Sequence, residues 1–273
     1  MSTTFGRGFH ARIGQPVDSL AYDRWTGRWS RPFVPSVLAA AKIKPGCRVL
    51  DVSTGTGEAA MGIRTAVGSS DPVFGADISV PMMEAARQRL SDPLFCPVAA
   101  DGESLPFKDE SFDAVICQLG LQFFPNPELG VIEFRRVLRQ GGHAAACVIS
   151  TADQAPVWGI FADVLADHLP EQRHVIQLSF SLADPKRLAD MFSNAGFHDI
   201  RVERRRHEDW FDSFEDYWSP IEAGTGSIPQ VYLTLAVSNR GDVREEVRKR
   251  LSRFEADGRL VLSVEMLIGS GRA

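Results

Sequence analysis

Three carboxylates and one glycine turn carry most of the chemical information in this 273-residue chain. In the run 49–60, a short apolar strand ends in a Gly55-x-Gly57 turn that opens a helix. Small residues there let a ligand approach the backbone, and the first turn of the helix presents free amides and a positive dipole end. A nucleotide or an amino-acid carboxylate suits such a turn. Alone the turn is a weak signal, because Gly55-x-Gly57-x-x-Ala60 also fits the dinucleotide fingerprint. Asp77 lies 20 residues past Gly57, where an acidic residue bonds a ribose diol in either case. Asp51 tips the balance. A carboxylate is repelled by a pyrophosphate and attracted by an ammonium. Asp101, after the third apolar run, can accept from an adenine amino group. Three carboxylates that face only ammonium, hydroxyl and amine donors suit a cationic adenosyl ligand better than a diphosphate.

For these residues to converge, the chain must alternate strands and helices. The patterns predict strands over 48–52, 73–77, 94–99, 112–119 and 143–149. Helices are expected over 57–67, over 79–90 with Ser79 as cap and Pro81 in the first turn, and after Asn126-Pro127. The last carries the stripe Val131, Phe134, Val137 and Leu138, and Gly141-Gly142 is expected to stop it. This rhythm means a parallel sheet wrapped by helices on both faces, with right-handed crossovers. Ligands of such sheets sit outside the carboxyl ends of the strands. Further strands are expected over 199–206 and 258–268. The fold class is α/β: a Rossmann-like, doubly wound, mostly parallel seven-stranded sheet. Residues 1–44, rich in aromatics, form an N-terminal helical cap; 45–206 and 258–273 form the catalytic domain; 207–257 form a lid inserted before the last strand.

The composition excludes several classes. Lys plus Arg is 30 against 35 for Asp plus Glu, a net charge of −5 that argues against a nucleic-acid partner. Cys47, Cys96, Cys117 and Cys147 show no Cys-x-x-Cys spacing, so no metal site is expected, and they suit a reducing compartment. No apolar run is long enough for a membrane span, and the N-terminus has no apolar core of a signal peptide, so the cytoplasm is expected.

Four motifs together resemble the class I S-adenosylmethionine-dependent methyltransferases, in the small-molecule branch that includes ubiquinone and menaquinone biosynthesis enzymes. They are Leu50-Asp51-x-x-x-Gly55-Thr56-Gly57, Gly75-Ala76-Asp77-Ile78-Ser79-x-Pro81-Met82, Asp101-Gly102-Glu103-x-Leu105-Pro106-Phe107 with Ser111-Phe112-Asp113, and Arg136-Val137-Leu138-Arg139-Gln140-Gly141-Gly142. The likeness covers about residues 20–150. The family usually has Gly where this chain has Ser53, which would narrow the turn beside the methionine tail, and Pro where it has Gln140.

The resemblance implies roles. Asp51, Ser53, Thr54, Gly55, Thr56 and Gly57 would border the methionine end of S-adenosylmethionine. Asp77 would hold the ribose, with Ile78 and Met82 beside the adenosine. Asp101, Gly102 and Glu103 would hold the adenine edge, and Gln118 and Leu119 would lie beneath the sulfonium. Tyr22 and Trp29 resemble the family's N-terminal lid. Gln122 and Phe123 stand where acceptors often sit, and Trp218 in the second aromatic segment would join the substrate pocket. Against these stand simpler readings: Asp77 as a helix cap, Asp101 as the start of a turn with Gly102, and the aromatics as core.

The implied reaction is in-line methyl transfer from the sulfonium to a small, apolar or aromatic acceptor, on oxygen or carbon, leaving S-adenosylhomocysteine. His10 is the histidine placed to act as a base. A homodimer is allowed. The alternatives are an NAD(P)-dependent oxidoreductase on the same turn, against which Asp51, Asp101 and the missing Tyr-x-x-x-Lys pair argue, or a non-catalytic cofactor-binding scaffold.

Overall fold

The computed structural model describes residues 19–68 and 70–273. His10 therefore lies outside the described residues. The sheet is built from β1 (Val49–Val52), β2 (Val73–Asp77), β3 (Phe95–Ala99), β4 (Phe112–Gln118), β5 (Leu138–Ile149), β6 (His198–Phe211), β7 (Glu255–Ala256) and β8 (Arg259–Arg272). Its order is β3-β2-β1-β4-β5-β8-β6, with β7 paired to β8. The first five strands are parallel, and β8 runs antiparallel to all three of its neighbours. All four residues of β1 are buried, as a central strand covered on both faces requires.

The helices that cover it are α1 (Val34–Ala40), α2 (Glu58–Val67), α3 (Val80–Leu90), α4 (Pro127–Val137), α5 (Pro156–His168) and α6 (Pro185–Asn194). Between β6 and β7 come α7 (Phe214–Glu222), α8 (Ser227–Tyr232) and α9 (Val237–Leu251). Ahead of α1, residues 19–33 wind through short α, π and 3-10 turns, with the π segment at Asp23–Gly27. Two apolar clusters lie on opposite faces of the sheet. One joins α1, α2, α5 and α7 to α9; the other joins α4 and α6.

The expected architecture holds, with three corrections. The sheet has eight strands rather than seven, because Asp257 and Gly258, at φ +51° and +76°, fold β7 back onto β8. Asp-Gly with two left-handed residues is a tight hairpin turn. Second, β6 runs on past 206, pairing with β8 as far as Phe211 opposite Leu260, so the inserted segment begins at 212. This strand is the sheet edge and mostly exposed, so its sequence carries charge in place of alternation. Third, α4 ends at Val137, ahead of Gly141-Gly142. The amides of Glu110 and Ser111 take the carbonyls of Arg136 and Val137, and the chain passes straight into β5.

Candidate cofactor and acceptor site

The strand order reverses between β1 and β4, and the chain opens three adjoining cavities outside their carboxyl ends. The first, about 680 Å³ including space open to solvent, is lined by the ends of β1, β2 and β4 and by the β3 loop. Ser53, Gly55, Asp77, Ile78, Met82, Gly102, Gln118, Leu119 and Phe123 all border it. A smaller one, about 390 Å³, lies over the glycine turn against Asp51, Ser53, Thr54, Gly55, Thr56 and Gln118. The remaining one, about 470 Å³, runs between residues 22–26 and 226–229, with Gln122, Phe123 and Trp158 in its walls. Tyr22 and Leu119 border all three.

Backbone conformation shapes the turn. Ser53, Gly55 and Gly57 are left-handed, at φ +59°, +54° and +85°. A Cβ on Gly57 would come within 2.5 Å of Leu90 Cδ1, so this glycine permits close packing of α2 on α3. On Gly55 a Cβ would meet only the Tyr22 hydroxyl, at 3.8 Å, so the backbone there is open to a ligand. Ser53 explains the family's preference for glycine, since a side chain in this conformation costs about 1–2 kcal/mol. Leu119 is likewise left-handed, at φ +57°, and its amide is anchored to Cys147 O at 2.8 Å. Such strain in a bulky residue collects at functional sites.

The carboxylates are held individually. Asp51 is 1% exposed; its Oδ2 accepts from Thr54 Oγ1 at 2.7 Å, while its Oδ1 has no partner in the protein. Burial pushes this carboxyl up to about 7, the Thr54 bond pulls against that, and nearby Asp77 adds to the rise. Asp77 accepts from Gly55 N at 2.9 Å and Ser79 N at 2.8 Å, tying the glycine turn to the end of β2, and burial raises its pKa. Ser79 caps α3 by accepting from Met82 N. Asp101 opens a turn by accepting from Glu103 N at 2.9 Å, and Glu103 accepts from Asn126 N at 2.6 Å. Neither acid borders the three cavities, though Gly102 between them does. Gln118 donates to Ser30 O at 2.7 Å and leaves a buried Oε1 without a partner.

The aromatic residues divide differently from the expectation. Tyr22 reaches the cavities, and burial, reinforced by Asp77, pushes its phenol up to about 12. Trp29 does not; it is fully buried against Phe211, with ring centroids 5.7 Å apart, and against His207. Trp25 takes the cavity wall instead. Trp218 also lies outside the cavities. It stacks on Phe214 at 5.6 Å, meets Phe161 and Tyr232 edge-on, and donates from Nε1 to Glu222 at 2.9 Å. Trp158, Ile149 and Ser179, which no local sequence signal marks, line the cavity where Trp218 was expected.

An ionic network holds the 19–33 segment down. Arg31 bridges Asp23 and Glu58 at 2.7 and 2.6 Å, and Arg89 meets the same two acids at 3.2 and 2.7 Å. Glu58 is the first residue of α2, so the network links the segment bearing Tyr22 to the helix that follows the glycine turn.

The set of acceptors fits an adenosyl amino acid. Two acceptor oxygens, on Asp51 and Gln118, are buried and unpartnered beside the open glycine turn. They call for a ligand that brings hydrogen-bond donors, such as an α-ammonium. Asp77 retains lone pairs for hydroxyls.

The comparisons agree. A family model described as a methyltransferase domain matches residues 50–146. The demethylmenaquinone methyltransferase of Staphylococcus epidermidis is 31% identical over 179 residues, which cover 61% of this chain and 74% of that protein. The ubiquinone/menaquinone biosynthesis C-methyltransferase UbiE of Xanthomonas campestris is 38% identical over 131 residues, 46% of this chain and half of that one. In structure, the phosphoethanolamine N-methyltransferase 2 of Haemonchus contortus, solved with S-adenosyl-L-methionine, matches with a TM-score of 0.63 at 17% identity, covering 99% of this chain and 60% of that one. Motifs, cradle and relatives converge: the chain belongs to the class I S-adenosylmethionine-dependent methyltransferases and is similar to the enzymes of ubiquinone and menaquinone biosynthesis.

Proposed function

We propose that this enzyme methylates a small apolar or aromatic metabolite held in the cavity between residues 22–26 and 226–229. The observation that carries the reading is the wall of that cavity. It meets the first cavity at Tyr22, Leu119 and Phe123, and its described lining is uncharged and rich in aromatic and aliphatic side chains. Bound S-adenosylmethionine supplies a methyl group made electrophilic by the sulfonium. The chain supplies alignment and a site shielded from water. Asp51 and Gln118 hold the ammonium end and Asp77 the ribose, while Gly102 borders the adenine. Leu119 and Tyr22 stand where the cavities join and align the two reactants. In this reading residues 19–44 and 212–257 form the acceptor-binding cap and lid.

Of the described residues that line the acceptor cavity, Tyr22 alone titrates as an acid, and its raised pKa keeps it a phenol at neutral pH. In this reading the acceptor brings its own nucleophile. An electron-rich ring carbon or an acidic hydroxyl meets that need, and the relatives named for C-methylation favour carbon. Four unpaired cysteines suit the cytoplasm, and no helix among the described residues is long and apolar enough to cross a membrane.

Ser227→Trp tests this proposal by filling the acceptor cavity from its half-buried rim. Methyl transfer to a panel of phenols and quinols should fall by about tenfold or more, with S-adenosylhomocysteine affinity unchanged. Unchanged transfer would place the acceptor elsewhere.

A further inference from the structure

Beyond the cofactor cradle, one buried side-chain amide among the described residues lacks any partner in the protein. Gln122 sits in the 3-10 turn Leu121–Phe123 that follows β4. Its main chain is pinned: Phe123 N donates to Gly120 O at 2.9 Å, and the Gln122 carbonyl accepts from Ser181 Oγ at 3.0 Å. The residue is 2% exposed, and neither its Nε2 nor its Oε1 finds a hydrogen bond. It lines the acceptor cavity with Ile149 and Ile228, and no hydroxyl of Thr26, Ser179 or Ser227 in the same wall bonds its amide.

A primary amide carries donors on one side and an acceptor on the other. Burying both ends unpaired is unfavourable, and a ligand that pairs them recovers that loss on binding. Because the two ends lie side by side, the group that satisfies both must itself present a donor next to an acceptor. Lactams, cyclic amides and enolised dicarbonyls do so. A charged group does not, since an amide cannot balance it and the described lining holds no counter-ion.

We propose that Gln122 is the specificity-determining residue for the methyl acceptor, reading a neighbouring donor–acceptor pair on an otherwise apolar ring. This rests on the second cavity being the acceptor site. The test uses three flat bicycles that differ by at most one heavy atom: 2-quinolone with an adjacent N–H and C=O, quinoline with an acceptor only, and naphthalene with neither. Each is titrated calorimetrically into the full-length protein saturated with S-adenosylhomocysteine. The wild type should bind 2-quinolone about tenfold or more tightly than the other two. Gln122→Met, close in shape and apolar, should bring all three within about threefold. Gln122→Leu, apolar and shorter than Met, should lose the 2-quinolone preference as well, which guards against misfolding of either variant. Equal binding of the three bicycles by the wild type, or a preference that survives in the Met variant, overturns the role of Gln122 and leaves the cavity standing. A protein that takes up S-adenosylhomocysteine yet binds no bicycle overturns the cavity reading and the proposal together.

Discussion

Asp51→Asn should move stability and cofactor binding in opposite directions. Burial holds the Asp51 carboxyl up near 7, far above the ~3.9 of an unfolded aspartate. The folded state thus binds this proton more tightly than the unfolded state. Its contribution is fully favourable below pH ~4, declines as pH rises toward 7, and levels off above. Each pH unit in that window removes up to about 1.4 kcal/mol, so the window removes about 4 kcal/mol at most. The variant lacks this loss. Its unpaired amide still costs about 1–3 kcal/mol, so at pH 8 the ligand-free variant should be the more stable protein by about 1–3 kcal/mol. At about 2–4 °C per kcal/mol the midpoint should rise by several degrees. In the proposed binding mode the same change removes the charge that meets the ammonium, which should weaken S-adenosylhomocysteine by about 2–5 kcal/mol, roughly 30-fold or more. Thermal denaturation of both proteins from pH 4.5 to 8.5, without and with S-adenosylhomocysteine, measures all of this. The reasoning fails if the ligand-free wild type and variant show the same pH slope, or if the variant is the less stable at pH 8.

Other expectations follow from the placement of side chains. Trp218→Ala should cost about 3–5 kcal/mol in urea denaturation while leaving the acceptor KM of the folded fraction unchanged, because the indole packs behind the cavity. A changed KM with intact stability would put Trp218 in the wall after all. Glu58→Gln should loosen the 19–33 segment, because both Arg31 and Arg89 bind that carboxylate. Amide exchange in 22–33 should quicken and S-adenosylhomocysteine affinity should fall several-fold; unchanged exchange would show the network to be idle.

Much of the cofactor cradle was legible because it is local. A buried strand, a tight turn and a helix start place Asp51, Gly55 and Gly57 within one seven-residue stretch, and the end of the next strand brings in Asp77. The wall of the proposed acceptor cavity was less legible. Trp158, Ile149 and Ser179 arrive from elements distant in sequence, and only tertiary packing brings them to Gln122. Tyr22 and Trp29, seven residues apart, would share one face of a regular α-helix. The π segment at Asp23–Gly27 shifts that phase, so Trp25 faces the cavity and Trp29 turns toward β6. The hairpin at Asp257-Gly258 did leave a signal, the dipeptide itself. The run of β6 to Phe211 left none, because an exposed edge strand has no buried face to mark in its sequence.

The central claim is that the cradle of Asp51, Asp77 and Gln118 takes an adenosyl amino acid. Calorimetric titration of the purified protein with S-adenosylmethionine, S-adenosylhomocysteine and NADH tests it most directly. The two adenosyl ligands should each bind one per chain, with no heat from NADH. Binding of NADH, or silence from all three ligands in a folded protein, would contradict it.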